Sequence, residues 1–278
     1  MKYVLGFLIL VVASPVRSQV NDRMDSVFAN HFDSAVMKNP NRDFRARTFA
    51  GYLYGEKDKR KVRYYYDLLK NDYTDVPSIK RQLIEFSPDA AIQVGKQIPS
   101  FEISLLGGAG KVSDKSMLGK YYLLHFWASW FQCSVSEIPT MHNAYEKYKG
   151  KKGFQIISLS FDKSESTIAP FYEEGSKLAE EWKMPWLHAF IPGVYKSNGD
   201  FKSDEPFYDT DLGKKFEVFG PKRHILVGPD GKILAIDPDL DLWQLEETLG
   251  KYLLDDKQNQ TDTLPINSLK EVALKNLV

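Results

Sequence analysis

The stretch GKYYLLHFWASW, Gly119 to Trp130, constrains the fold more than any other part of the chain. From Tyr121 to Trp127 it is almost unbroken apolar sequence, without the alternation of a strand that faces water on one side. Such a run predicts a strand covered on both faces, so helices must pack above and below the sheet that holds it. The flanks agree. SVSEIPTMHNAYEKYK predicts a helix, GFQIISLSFD a second buried strand, and the segment around FYEEGSKLAEEW, about residues 166–182, another helix. MPWLHAFI reads as extended, residues 193–211 as a polar, turn-rich insertion, RHILVGPDGKILAID as a hairpin about Pro229, Asp230 and Gly231, and LWQLEETLGKYLL as a closing helix. Strands alternating with helices and ending in a hairpin predict an α/β sandwich around a central sheet.

Before this region the texture differs. Residues 19–94 repeat apolar and aromatic positions at three- and four-residue steps, broken at Asn39-Pro40, Gly55, Val76-Pro77 and Ser87-Pro88, which predicts a small helical N-terminal domain. Its run GEKDKRKVR reads either as an anion-binding patch or as a solvated helix face. Between the two parts, KQIPSFEISLLGGAGKVS predicts strand, glycine turn and strand. GGAGK is no phosphate loop, because Leu105 stands where the earlier glycine is required and Val112 where Ser or Thr is required.

The first residues, Met1 and Lys2 followed by an apolar run from Tyr3 to Ala13 and then SPVRSQ, predict a signal peptide over residues 1–18, cut before Gln19. That run is well short of the ~20 residues of a spanning helix. An exported product without a stable membrane anchor is expected, periplasmic or extracellular. Lys plus Arg and Asp plus Glu both number 37, so no global field favours nucleic acid. Cys133 is the single cysteine, which excludes an intramolecular disulfide. Residues 255–278 read as a polar tail with one short terminal helix.

FWASWFQCSVSEIP, together with IPSFEISLLGGAGKVS, IISLSFD and ILVGPDGKI in that order, resembles the thioredoxin superfamily over about residues 95–254. The resemblance is to exported TlpA-like and ResA-like thiol-disulfide oxidoreductases, within the wider redoxin and AhpC/TSA group. It implies a three-layer thioredoxin-like sandwich with a central mixed sheet. It also implies a W-C-x-x-C motif before E-x-P. Counted back from Glu137, Ile138 and Pro139, the two cysteine places fall on Phe131 and Ser134, with Gln132 and Cys133 between them and Trp130 before. The family's working thiolate attacks a disulfide and is released by its neighbour. Neither a benzyl group nor a hydroxyl performs those steps.

The resemblance also implies a cis-proline loop beside the motif. Lys222 aligns with that proline and Pro221, after Gly220, lies one residue early. His125 aligns with a buried proton-handling acid. It reads either as the base of a pair with Ser134 or as a core histidine satisfied by a backbone carbonyl. Cys133 reads either as a monothiol nucleophile or as an inert small side chain. A peroxiredoxin pattern would need Pro at Phe126 and Thr or Ser at Trp130. Pro139 is expected to kink the helix after the motif. His31, His142, His188 and His224 lack metal-ligand spacing, so no metal and no cofactor is expected.

Two functional classes stay open. One is a binding or accessory module that meets an exported protein partner through Trp130, Phe131, Gln132, Ser134 and the Gly220–Lys222 turn. The other is a single-thiol oxidoreductase using Cys133 with an external resolving thiol.

Overall fold

The computed structural model describes residues 31–241 and 244–254. The expected signal peptide and terminal helix lie outside the described residues, and no helix among those described is long and apolar enough to cross a membrane. The chain divides into two compact units between Pro88 and Asp89.

The first unit is helical: α1 (His31–Met37), α2 (Arg42–Gly55), α3 (Lys59–Asp72) and α4 (Lys80–Glu85), the last entered through a 3₁₀ turn at Pro77–Ile79. Asn41 and Asp58 open α2 and α3 by accepting hydrogen bonds from the backbone N–H of Phe44 and Arg60, both at 2.9 Å. Each cap satisfies a donor that the first turn leaves orphaned. Phe49, Leu53, Tyr65, Leu69 and Ile79 form the core. The basic run is a solvated face rather than an anion patch, for Lys61, Arg60 and Arg63 pair with Glu56, Asp58 and Asp67.

In the second unit, β1 (Glu102–Ser104) and β2 (Lys111–Ser113) form an antiparallel hairpin. The main sheet is built from β3 (Tyr122–Trp127), β4 (Gln155–Ser160), β5 (Leu187–Phe190), β6 (Lys222–Val227) and β7 (Ile233–Ile236), in the order β5-β4-β3-β6-β7. Neighbours β3–β4 and β4–β5 are parallel, whereas β3–β6 and β6–β7 are antiparallel. All six residues of β3 are buried, as its unbroken apolar run predicts for the middle strand of a covered sheet. Tyr122, Leu124 and Phe126 face a core shared with the hairpin and with α8 (Asp211–Phe216). Leu123 and Trp127 face a second core under α6 (Ile138–Tyr148) and α9 (Leu245–Leu253). Fold class and architecture are thus a mixed α/β sheet with helices on both faces.

Two expectations are corrected. The segment 166–182 is not one helix: α7 (Glu165–Ile168) stops at once and short 3₁₀ turns at Ala169–Phe171 and Glu180–Trp182 replace the rest. Pro170 removes a helical donor and Gly175 takes a left-handed φ of 79°, so apolar periodicity loses to backbone chemistry. Pro139 does not kink a helix interior. The helix is already interrupted after α5 (Gln132–Val135), and Pro139 sits in the first turn of α6, where its missing N–H leaves nothing unsatisfied.

Candidate functional site

The site lies where the parallel strands end and their loops converge, the usual crevice of an open α/β sheet. Beyond Trp127 the chain turns at Ser129, whose backbone N–H and hydroxyl donate to the buried Asp162 carboxylate after β4, at 2.9 and 2.6 Å. That tie aims the next residues outward. Trp130 is 47% exposed. Phe131 precedes α5 as its N-cap, and its carbonyl accepts from the N–H groups of Ser134 and Val135 at 2.9 and 3.1 Å. Its ring is half-buried against the core beneath. Gln132 and Cys133 are exposed, while Ser134 is fully buried.

Ser134 and His125 are not a pair. The Ser134 hydroxyl donates to the Pro221 carbonyl, and His125 Nδ1 meets Ser158 Oγ at 2.9 Å. The partner of His125 is therefore a side-chain hydroxyl and not the backbone carbonyl expected of a core histidine. Ser158 also accepts from Trp186 Nε1 at 2.7 Å. Gly220-Pro221 is not a cis bond; the cis bond among the described residues is Asp237-Pro238.

Beneath α5 runs a buried polar row that sequence reading missed. Register places His188 of β5 beside Ser158 of β4, Ser158 beside His125 of β3, and His125 beside His224 of β6. The two imidazoles of His125 and His224 stack 5.2 Å apart, within 4° of parallel. Burial, then the neighbouring His224 and His188, holds His125 well below the ordinary imidazole range, and burial lowers His188 to about 4. Both are neutral.

His224 differs because carboxylates flank it. Its Nδ1 lies 2.9 Å from Asp237 Oδ1, and its Nε2 3.6 Å from Glu137 Oε2. Burial opposes its charged form, but the Asp237 carboxylate and then Glu137 outweigh this and raise its pKa. Lys222 Nζ lies 2.6 Å from Glu137 Oε1 and 3.2 Å from Asp241 Oδ1. Glu137, 2% exposed, is raised by burial despite these cations. His224, Asp237 and Asp241 each place a donor atom within 4.8 Å of the others, and since Lys222 pairs with Asp241 and His224 with Asp237 we read the group as an ion-pair cluster.

The insertion completes the outer surface. Trp130 meets Phe131, Phe201 and Phe207, each with ring centroids 6.1 Å away, and Phe201 also meets Tyr195 at 5.1 Å. Phe201 is 42% exposed. An aromatic platform thus joins the turn before α5 to the segment around residues 193–211.

Against known proteins, residues 94–191 match the AhpC/TSA family. A thiol-disulfide oxidoreductase ResA from Bacillus cereus is 35% identical over 89 residues, 32% of this chain and 50% of that protein. A tryparedoxin from Trypanosoma brucei brucei is 34% identical over 84 residues, 30% of this chain and 52% of that protein. The chain spans about half the length of the curated relatives it matches. Over its matched residues the second unit is similar to thiol-disulfide oxidoreductases of the ResA kind. Among solved structures, the thioredoxin domain of a thiol-disulfide oxidoreductase from Bacteroides vulgatus is similar at TM-score 0.44 and 26% identity, covering 59% of this chain and 99% of that one.

Of the residues that sequence reading singled out, Trp130 meets Phe131, the buried Ser134 meets the buried Pro221, and Lys222 reaches Glu137 rather than the motif residues themselves. Those it missed lay one structural period away. Glu137 follows Ser134 by three residues, in the break before α6, and His224 follows Lys222 by two and shares its strand face. Gly213 of α8 supports the platform from behind. A Cβ there would lie 1.8 Å from the Phe207 carbonyl oxygen. We expect Gly213→Ala to cost about 1–3 kcal/mol or more and to shift the platform, read as a lowered Tm and altered tryptophan fluorescence. An unchanged Tm would contradict the packing described.

Proposed function

We propose that the protein is an exported, thioredoxin-fold member of the thiol-disulfide oxidoreductase group that lacks dithiol turnover and uses the motif face to bind a protein partner. One observation carries this reading. At the two places where turnover requires sulfur stand a half-buried phenyl ring and a buried hydroxyl already bonded to Pro221. A serine alkoxide is far too basic to act as a thiolate. The position of Phe131 directly before the first helical turn supports the register, because that is where thiol activation by free amides operates. Export rests on the leader-like first residues. The aromatic platform around Trp130 supports binding, since large exposed apolar groups set beside a polypeptide-facing loop are typical of contact surfaces.

The test is insulin-disulfide reduction by the purified protein, where no turnover above the uncatalysed rate is expected; catalytic reduction without a second protein overturns the proposal. For the contact face, Trp130→Ala with Phe131→Ala is expected to weaken a co-purifying partner by about 2 kcal/mol or more. Equal recovery of that partner removes the surface from consideration.

A second reading rests on the exposure of Cys133. A single accessible thiol can form a mixed disulfide that an external thiol resolves. Alkylation at neutral pH faster than a model thiol, lost in Cys133→Ser along with any thiol activity, would favour this reading over the first.

A further inference from the structure

The polar insertion brings charge as well as rings to the face it completes. Residues 193–211 hold Asp200, Asp204, Glu205, Asp209 and Asp211 against Lys196 and Lys202, in a chain whose Asp plus Glu and Lys plus Arg both number 37. The acids are placed beside the rings. Asp200 and Asp204 flank Phe201, Glu205 and Asp209 flank Phe207, and of these Asp200, Asp204 and Asp209 are exposed. The excess of negative charge is therefore local to the platform.

One more acid stands at its root. Asp162 is 1% exposed, and its oxygens accept from the Ser129 N–H, the Ser129 hydroxyl and the Ser160 hydroxyl at 2.9, 2.6 and 2.8 Å. Those donors are neutral, so they satisfy the carboxylate without cancelling its charge, and a buried charge is screened little. Its field reaches the rings: burial raises the Tyr195 phenol, a hydrogen bond with Trp130 opposes the rise, and the Asp162 carboxylate adds to it.

We propose that the platform is the docking site for a basic segment of a partner protein, which lays an arginine side chain on the Trp130 and Phe201 rings. That a partner exists rests on the proposed function; its chemistry is what the platform adds. Two observations choose the occupant. The first is the open rings: Trp130 and Phe201 are 47% and 42% exposed, and an aromatic face attracts a cation, a Trp face most strongly. The Lys163 ammonium already shows this mode, 5.4 Å from the centre of the Tyr195 ring. The second is the sign of the surrounding charge, which favours a cationic segment through electrostatic complementarity. An acidic segment would meet like charge from Asp204 and Asp209, and an apolar one would cover the rings but gain nothing from the acids. Guanidinium, planar and weakly hydrated, stacks on a ring more readily than an ammonium does.

The probe is a dye-labelled glycine-serine peptide carrying several arginines, compared with peptides of the same length that carry glutamate or leucine at those places. Fluorescence anisotropy with the full chain gives the affinities, and the indole N–H signal of Trp130, assigned through Trp130→Phe, gives the place. We expect the arginine peptide to bind tightest, to move that signal, and to bind less well as salt rises. Trp130→Ala should weaken it on the order of tenfold. Asp204→Lys with Asp209→Lys, both at exposed positions, should weaken it several-fold at low salt while leaving the rings in place.

Equal or tighter binding of the glutamate or leucine peptide, binding of none of the three, or an affinity that neither variant changes overturns the inference. Should Trp130→Ala fail to fold, the charge variant and the salt dependence decide alone. Insulin-disulfide reduction would remove the proposed function and leave these peptide affinities as they stand. Loss of a co-purifying partner in Trp130→Ala with Phe131→Ala, without any preference for arginine, would keep that function and remove this inference.

Discussion

Phe131→Cys combined with Ser134→Cys, in a Cys133→Ser background, should give a protein that reduces insulin disulfides where the proposed function expects none from the parent. The two positions span one helical turn, with Ser134 N–H bonded to the Phe131 carbonyl at 2.9 Å. Residues so placed have Cα atoms about 5–5.5 Å apart, inside the window a disulfide tolerates. A thiol at 131 would stand at an N-cap that has no side-chain cap of its own, beside amides that favour a thiolate. A thiol there with a pKa of about 7 would be about half ionised at neutral pH, against a few per cent for an ordinary cysteine. Removing Cys133 prevents a third sulfur from scrambling the pair. The result expected is catalytic turnover in the variant and none in the parent. An inert variant that still folds and forms the 131–134 disulfide would mean that the rest of the site, and not the missing sulfur, forbids the reaction.

The second large effect concerns Lys222. Lys222→Met removes the ammonium from Glu137, which is almost completely buried and whose Oε2 lies 3.6 Å from His224 Nε2. Breaking one side of a buried ion pair leaves an uncompensated charge, typically worth 3–5 kcal/mol. We expect about 3 kcal/mol here, because His224 remains beside the carboxylate and Lys222 is partly exposed. The pH dependence has a definite sign. Burial already raises Glu137, and loss of Lys222 raises it further. A carboxyl with a raised folded pKa is penalised above its unfolded value near 4.3 and relieved below it. The deficit should therefore be large at neutral pH and shrink toward about pH 4. Adding Glu137→Met should recover most of the loss, since a well-packed apolar pair often matches a buried ion pair. Denaturant unfolding of the two single variants and the double one measures the coupling. Independent, additive losses would show that the 2.6 Å contact carries no interaction energy.

Much of the second unit was legible in the sequence because its signals are local. The unbroken apolar stretch of β3 marks a covered strand, and the Pro-Asp-Gly turn places β6 and β7. Periodicity failed where backbone chemistry intervened, as at Pro170 and Gly175, which end a segment that looks amphipathic on paper. The aromatic platform was half visible: Trp130 and Phe131 stand in the motif, but Phe201 and Phe207 reach it from some seventy residues away, and nothing in their own neighbourhood announces it.

What the linear chain determined by itself is which side chains stand at Phe131, Cys133 and Ser134, and hence where sulfur is and is not present. What only the tertiary structure decided is what replaced it. His125, Ser158, His188 and His224 become one row through strand register, and Glu137, Lys222 and Asp237 become one charge group through the packing of a helix on that row. Coulomb interactions and hydrogen bonds depend on distance in space and on exclusion of water, and neither quantity is written in the order of residues.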